Sequence, residues 1–171
     1  MSDHLRQGTI TGEHLKPSST MELNHLVHQF QLLPHPEGGW YREVHRSSIQ
    51  VKRADGETRS ALTTVLFLLG ADEVSRWHRV IGADETWNHL QGSALTLFKL
   101  ADSKARPESL RLASDSPVQT IPAGSWMAAR SEGDFTLMSC CVGPGFDFRD
   151  FEMLADQPVE TWPEGVLKAL I

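Results

Sequence analysis

Turn signals cut the stretch from Trp40 to Val142 into short pieces at regular intervals. They are Asp55-Gly56-Glu57, Gly82-Ala83-Asp84, Gly92-Ser93, Ser114-Asp115, Pro122-Ala123-Gly124 and Glu132-Gly133-Asp134. The apolar runs between them do not exceed ten residues, short of the roughly dozen a stable helix needs, and they are rich in Val, Leu, Thr, Phe and Trp. The spacing predicts strands at residues 40–45, 60–69, 74–80, 85–90, 95–100, 109–113, 118–121, 126–130 and 135–142. With no helices alternating between them, this is an all-β sandwich or barrel, not a parallel sheet.

Helical signals lie outside that block. Ser19 and Glu22 have the spacing of a capping box, and Leu23, Leu26, Val27 and Phe30 follow at i, i+3, i+4 and i+7, so a short N-terminal helix is predicted up to Pro34. Pro163 can occupy the first turn of a C-terminal helix carrying Val166, Leu167 and Leu170. Residues 1–20 are polar and without sustained periodicity, and read as a flexible leader to one domain over 21–171. The six-residue run Pro34-His35-Pro36-Glu37-Gly38-Gly39 is a turn by composition.

Charge and cysteine content narrow the function. A formal charge of −6, a pI near 5.7 and the lack of any basic run argue against a nucleic-acid partner. Cys140 and Cys141 are adjacent, so on an extended chain they point to opposite faces and do not pair, as expected of a reducing compartment. No apolar run approaches the roughly 20 residues of a membrane helix. A cytoplasmic protein without a membrane partner is expected. Eight His and five Trp leave a metal site and an aromatic pocket both open.

The chemistry concentrates in residues 75–92. On strands, alternate side chains share a face, so Arg76, His78 and Val80 form one row and Glu85, Trp87 and His89 another, with Gly82-Ala83-Asp84 joining them. Facing inward, the rows supply imidazoles, a carboxylate, a guanidinium and an indole, parts suited to proton transfer or to gripping a polar ring. An inward acid is costly unless paired or solvated, which makes Glu85 the strongest single candidate.

This segment resembles the first cupin motif, with His78, Glu85 and Gly92 at matching places and Val80 where a second His would stand. Pro122-Ala123-Gly124 resembles the start of the second motif, with Met127 in its His place and Ser131 in its Asn place. The runs Pro34 to Glu43, Trp77-His78-Arg79, Asp84-Glu85-x-Trp87, Pro122-Ala123-Gly124-x-Trp126 and Pro144 to Glu152 look like landmarks of one subfamily of small single-domain cupins without a firmly assigned activity. The resemblance implies a cupin-type double-stranded β-helix, a jelly-roll barrel that is commonly dimeric, with a small-molecule ligand inside it. Metal-bearing cupins generally present three His and one Glu. Only His78 and Glu85 remain from that set here, so no metal and no cofactor are expected, although His89 can restore a third ligand.

The expected catalytic residues are therefore His78 and Glu85. The expected ligand contacts are Arg76, Trp87, His89, Tyr41 and Met127, with Met127 weighed against core filling and Arg76 against a salt bridge to Glu85. Tyr41 and Glu43 share one face of their strand and Arg42 takes the other; either can line the barrel mouth. Trp77 alternates away from His78, toward packing or a subunit contact. The remaining His residues, His35 among them, are read as belonging to the leader, the helix and the turn. Three functions stay open: a metal-independent isomerase or epimerase acting on a sugar-like or polar metabolite, a non-catalytic metabolite binder, and a metal-dependent cupin enzyme with an atypical ligand set.

Overall fold

A computed structural model describes residues 19–101 and 106–171. The helix α1 (Ser19–Phe30) is followed by thirteen strands: β1 (Leu33–Pro34), β2 (Trp40–Arg46), β3 (Gln50–Lys52), β4 (Thr58–Ser60), β5 (Thr63–Gly70), β6 (Val74–Val80), β7 (Asp84–Gly92), β8 (Leu95–Leu100), β9 (Glu108–Leu112), β10 (Val118–Ile121), β11 (Trp126–Ser131), β12 (Phe135–Gly143) and β13 (Phe151–Met153). Residues 1–18 of the predicted leader lie outside the described residues. All nine strands expected from the turn spacing are present, and β6, β8 and β10 have the expected ends. Four short elements were not expected: β1, the β3–β4 hairpin and β13.

Two antiparallel sheets face each other, one ordered β1-β2-β5-β12-β7-β10 and the other β13-β6-β11-β8-β9; β3 and β4 form a separate ribbon. This is the cupin-type jelly roll. The inner faces meet in a core that includes Phe67, Leu69, Trp87, Leu95, Leu97, Met127 and Met138. The apolar stripe of α1 covers the outside of the first sheet, where Leu26 packs with Leu68, Phe135 and Leu137. Strand β5 is buried on both faces, which is why it reads as an unbroken apolar run.

The outside of the second sheet is covered by the C-terminal segment. Trp77 is fully buried there, in one cluster with Leu154 and Leu170, and its Nε1 donates to Leu167 O at 3.2 Å. The chain's own tail thus covers Trp77. That tail is not the expected helix: it forms 3-10 turns at Val159–Thr161 and Lys168–Leu170. Pro158, Pro163 and Gly165 break the segment into pieces too short to nucleate an α-helix, and packing on Trp77 sets its course. Among the described residues no helix is long and apolar enough to cross a membrane.

Cys140 and Cys141 are unbonded, as their opposite faces require. Cys140 points into the barrel, and Cys141 points outward toward Thr64 Oγ1 at 3.5 Å.

Candidate functional site

A cavity of about 430 Å³ opens between the sheets, past the β1–β2 edge. Register explains its inner wall. Val142 lies opposite Glu85 and Cys140 opposite Trp87, so Glu85, Trp87, Cys140 and Val142 share the inward face of β7 and β12. Val65 and Phe67 continue that face on β5, and Tyr41 and Glu43 continue it on β2. Across from them, His78 and Val80 project inward from β6.

Two further polar groups come from the loop between β1 and β2. His35 and Glu37 both line the cavity, and Glu37 is buried. The loop is drawn tightly under β6. Gly38 has φ +113°, and a Cβ there would lie 2.1 Å from Val74 O, so only glycine allows the approach. Arg76 completes the clamp. Its backbone N–H donates to Glu37 O at 2.8 Å, its Nε to the same oxygen at 3.2 Å, and its Nη2 to Pro36 O.

The result is a buried acid between two imidazoles. Glu37 Oε2 stands 3.2 Å from His78 Nε2 and 3.3 Å from His35 Nδ1, while Ser75 Oγ donates to Glu37 Oε1 at 2.8 Å. Burial keeps both rings neutral, and their backbone partners then set which nitrogen accepts. His78 Nδ1 donates to Arg76 O at 2.7 Å, which leaves Nε2 as an acceptor; the Glu37 N–H donates to His35 Nδ1 at 3.3 Å, which makes that nitrogen an acceptor as well. The His35 Nδ1 lone pair is taken by that N–H, so the lone pair facing the Glu37 carboxyl is that of His78 Nε2, and Glu37 satisfies it by carrying a proton. This tautomer assignment follows from the hydrogen-bond network.

The electrostatics agree with the hydrogen bonding. Burial pushes the Glu37 carboxyl up to about 8, against the opposing effects of Ser75 and Arg76. Burial likewise pushes Glu85 up to about 7, opposed by His78 and reinforced by Glu37. Burial lowers His35 to about 4, with His78 contributing, and lowers His78 as well. The Cys140 thiol beside Glu85 is raised well above its ordinary value by burial and by the neighbouring carboxyls. Near neutral pH the floor of the cavity thus holds neutral imidazoles, a protonated Glu37 and a Glu85 close to half-ionised. Such a set can both give and take a proton.

Of the residues expected at the site, His78, Glu85 and Tyr41 line the cavity. The others lie elsewhere. Arg76 faces the backbone of the 35–39 loop, which it holds in place. Trp87 sits deeper, 1% exposed, with its ring edge-to-face with Phe67 at 5.8 Å. Trp87 Nε1 is buried without a hydrogen-bond partner. His89 is turned away at the end of β7, where its Nε2 meets Ser93 O at 3.1 Å and the β7–β12 register shifts. Met127 packs in the core beside Val80, out of the cavity.

Sequence reasoning missed His35 and Glu37, because Pro, Gly and His together read as a turn. The usable signal was two titratable residues at i and i+2 in a segment immobilised by two prolines and two glycines. From sequence, Phe146, Phe148 and Phe151 can form a closing flap or pack the barrel's outer edge, with packing favoured; in the structure they line the outer wall of the cavity, with His35 stacked against Phe148 at 6.3 Å. The 3-10 turn Phe148–Asp150 is anchored from the β3–β4 ribbon. Arg59 Nε and Arg53 Nη1 donate to Asp150 Oδ2 at 2.7 and 2.8 Å.

The donor set does not suit the metal typical of this type of barrel. Val80 and Met127, in the places of two ligands, offer a hydrocarbon and a thioether inside an apolar core. Among the described residues no group of three or more His, Cys, Asp or Glu side chains is arranged to hold a metal ion.

The family model described as "Cupin superfamily (DUF985)" matches residues 24–154. Two solved structures are similar over most of their length. A hypothetical protein from Leishmania major is 34% identical, with a TM-score of 0.66, over 75% of this chain and 85% of that one. A protein from Shewanella oneidensis is 31% identical, with a TM-score of 0.69, over 77% and 83%. Oxalate decarboxylase from Bacillus subtilis is 16% identical, with a TM-score of 0.52, over 74% of this chain and 32% of that one, a likeness of fold alone. No curated protein matches the sequence.

Proposed function

The chain belongs to the DUF985 family of the cupin superfamily, and from that premise we propose that it is an isomerase or epimerase that moves a proton on a small, polar, sugar-like carbonyl compound held in the barrel. One observation carries the reading: Glu37 Oε2 is within 3.3 Å of two imidazole nitrogens, in the same cavity as Glu85.

The two carboxyls then divide the work. Glu85, ionised in part near pH 7, takes the proton from the carbon next to the substrate carbonyl. The C–H electron pair moves into a C=C bond, and the carbonyl oxygen takes the proton held by Glu37, giving a neutral enediol. Reversal at the neighbouring carbon, or on the other face, yields the isomer with atoms and charge conserved. His78 Nε2 holds the Glu37 proton in position between turnovers, His35 Nδ1 holds the Glu37 backbone N–H, and Tyr41 and the Phe146–Phe151 wall exclude water. No step needs a metal.

The test is deuterium incorporation from D2O into a panel of keto and aldo sugars, their phosphates and their acids, followed by NMR. Wild-type protein is expected to exchange the hydrogen next to the carbonyl of at least one member, and Glu85→Gln and Glu37→Gln to lose that exchange by a factor of about 100 or more. Saturable binding of a member without exchange would overturn the proposal in favour of a non-catalytic binder, and a panel with no exchange at all would also overturn it.

A further inference from the structure

Glu37 and Glu85 define the reacting end of the cavity, and the charges at its mouth define the other end. Arg46 is matched: its Nε and Nη2 donate to the two carboxylate oxygens of Glu43 at 2.9 and 2.7 Å. Asp147 is matched by Arg149, whose Nε and Nη2 reach its carboxylate at 3.0 and 2.9 Å. Arg42 is the exception. It stands at the rim of the cavity, half-buried, on the face of β2 opposite Tyr41 and Glu43; no carboxylate of the described residues pairs with it, and its Nη1 donates to the neutral amide oxygen of Gln31 at 3.3 Å.

Gln31 itself is held in an unusual place. The Leu32 N–H donates to Val27 O at 2.9 Å and the Gln31 N–H to His28 O at 3.2 Å, the bond pair of a Schellman motif closing α1. Gln31 occupies the position that glycine usually fills, with φ +54°, and it is the one non-glycine among the described residues with positive φ. A side chain in this strained conformation, bonded to an otherwise unmatched guanidinium at a cavity mouth, points to a positioning duty.

We propose that Arg42 is the anchor for an anionic oxygen group, a phosphate or a carboxylate, on the ligand whose uncharged end enters the barrel. The inference rests on the reading of the cavity as a small-molecule site and names its substrate class: a carbonyl compound with an anionic tail. A guanidinium offers paired N–H donors that match either group, and at this mouth no carboxylate has to be displaced first. Gln31 keeps Arg42 turned along the rim.

Binding, measured without turnover, tests it. D-fructose, D-fructose 6-phosphate and D-glucuronate are titrated calorimetrically into wild-type protein, Arg42→Gln and Gln31→Gly. At least one charged sugar should bind the wild type about ten-fold or more tighter than fructose. Preference for the phosphate alone, or for the acid alone, identifies the group. The preference should vanish in Arg42→Gln. Gln31→Gly should melt higher than wild type, because the left-handed strain is relieved, and yet lose part of the preference, a combination that a merely structural Gln31 would not produce. No preference in the wild type, or one that survives intact in Arg42→Gln, overturns the assignment. Because no proton transfer is read, a failure of the isomerase reading shows in the deuterium assay while this one stands or falls separately.

Discussion

Arg76 binds the backbone of Glu37 twice, through its main-chain N–H at 2.8 Å and its side-chain Nε at 3.2 Å, and so joins the strand that carries His78 to the loop that carries the buried acid. On this account Arg76 is a positioning residue. Arg76→Met should lower kcat for proton exchange about ten-fold while leaving KM nearly unchanged, because the loop loses its tether but the cavity mouth does not change. Thermal unfolding should show a loss of about 1–2 kcal/mol from the side-chain hydrogen bonds. A rise in KM at constant kcat would instead indicate direct contact with substrate.

Stability should depend on pH in a direction set by the buried groups. The unfolded carboxyl of Glu37 ionises at its ordinary value of 4.5, whereas the folded one keeps its proton up to about 8. The native state therefore binds more protons over that window, and stability falls as pH rises through it. Glu85, raised to about 7, acts in the same direction. His35 and His78 act oppositely, since their lowered folded values leave the unfolded state richer in protons below 6.5. The contributions offset one another on the acid side, so the decline is concentrated between pH 6.5 and 8. Glu37→Gln should remove its share, so that between pH 6.5 and pH 8 the variant loses about 1–2 kcal/mol less stability than wild type, as read from urea unfolding at the two pH values.

The same values shape catalysis. The kcat/KM for proton exchange should rise as Glu85 ionises about pH 7 and fall as Glu37 loses its proton about pH 8, giving a narrow bell. The two limbs belong to the coupled cluster as a whole. A profile that stays flat from pH 6 to pH 9 would contradict the division of labour between the two carboxyls.

Gly38 is the tightest point in the site. Gly38→Ala places a methyl group against Val74 O and forces an L residue to φ +113°, so a destabilisation of more than about 3 kcal/mol is expected in thermal unfolding. Gly124 has positive φ but nothing within 4 Å of an added Cβ, and Gly124→Ala should cost less, about 1–2 kcal/mol.

The parts of this molecule governed by local pattern could be read from the sequence. Alternation placed His78 and Glu85 inward on β6 and β7, and turn chemistry located β8 and β10 to the residue. Where long-range packing decides, local pattern failed. Glu37 becomes buried only because Gly38 and Arg76 dock its loop against β6. Alternation alone set Arg76 in the His78 row, but its hydrogen bonds to the loop carbonyls take the side chain out of the cavity. Trp87 follows the predicted phase, yet it lies below the cavity floor, because phase gives a direction and says nothing of depth. The C-terminal apolar spacing is real, but it is met by Val166 in irregular chain and Leu170 in a 3-10 turn, both packed in the cluster with Trp77.

The central claim is that Glu37 is protonated and lies between two neutral imidazoles, and NMR of the wild-type protein tests it most directly. With ¹³C-labelled Glu and ¹⁵N-labelled His, the Glu37 carboxyl is predicted to titrate at about pH 8. At pH 7, His78 should show its proton on Nδ1 and His35 its proton on Nε2. A Glu37 carboxyl that titrates near 4.5, with either ring present as imidazolium at pH 7, would contradict the account.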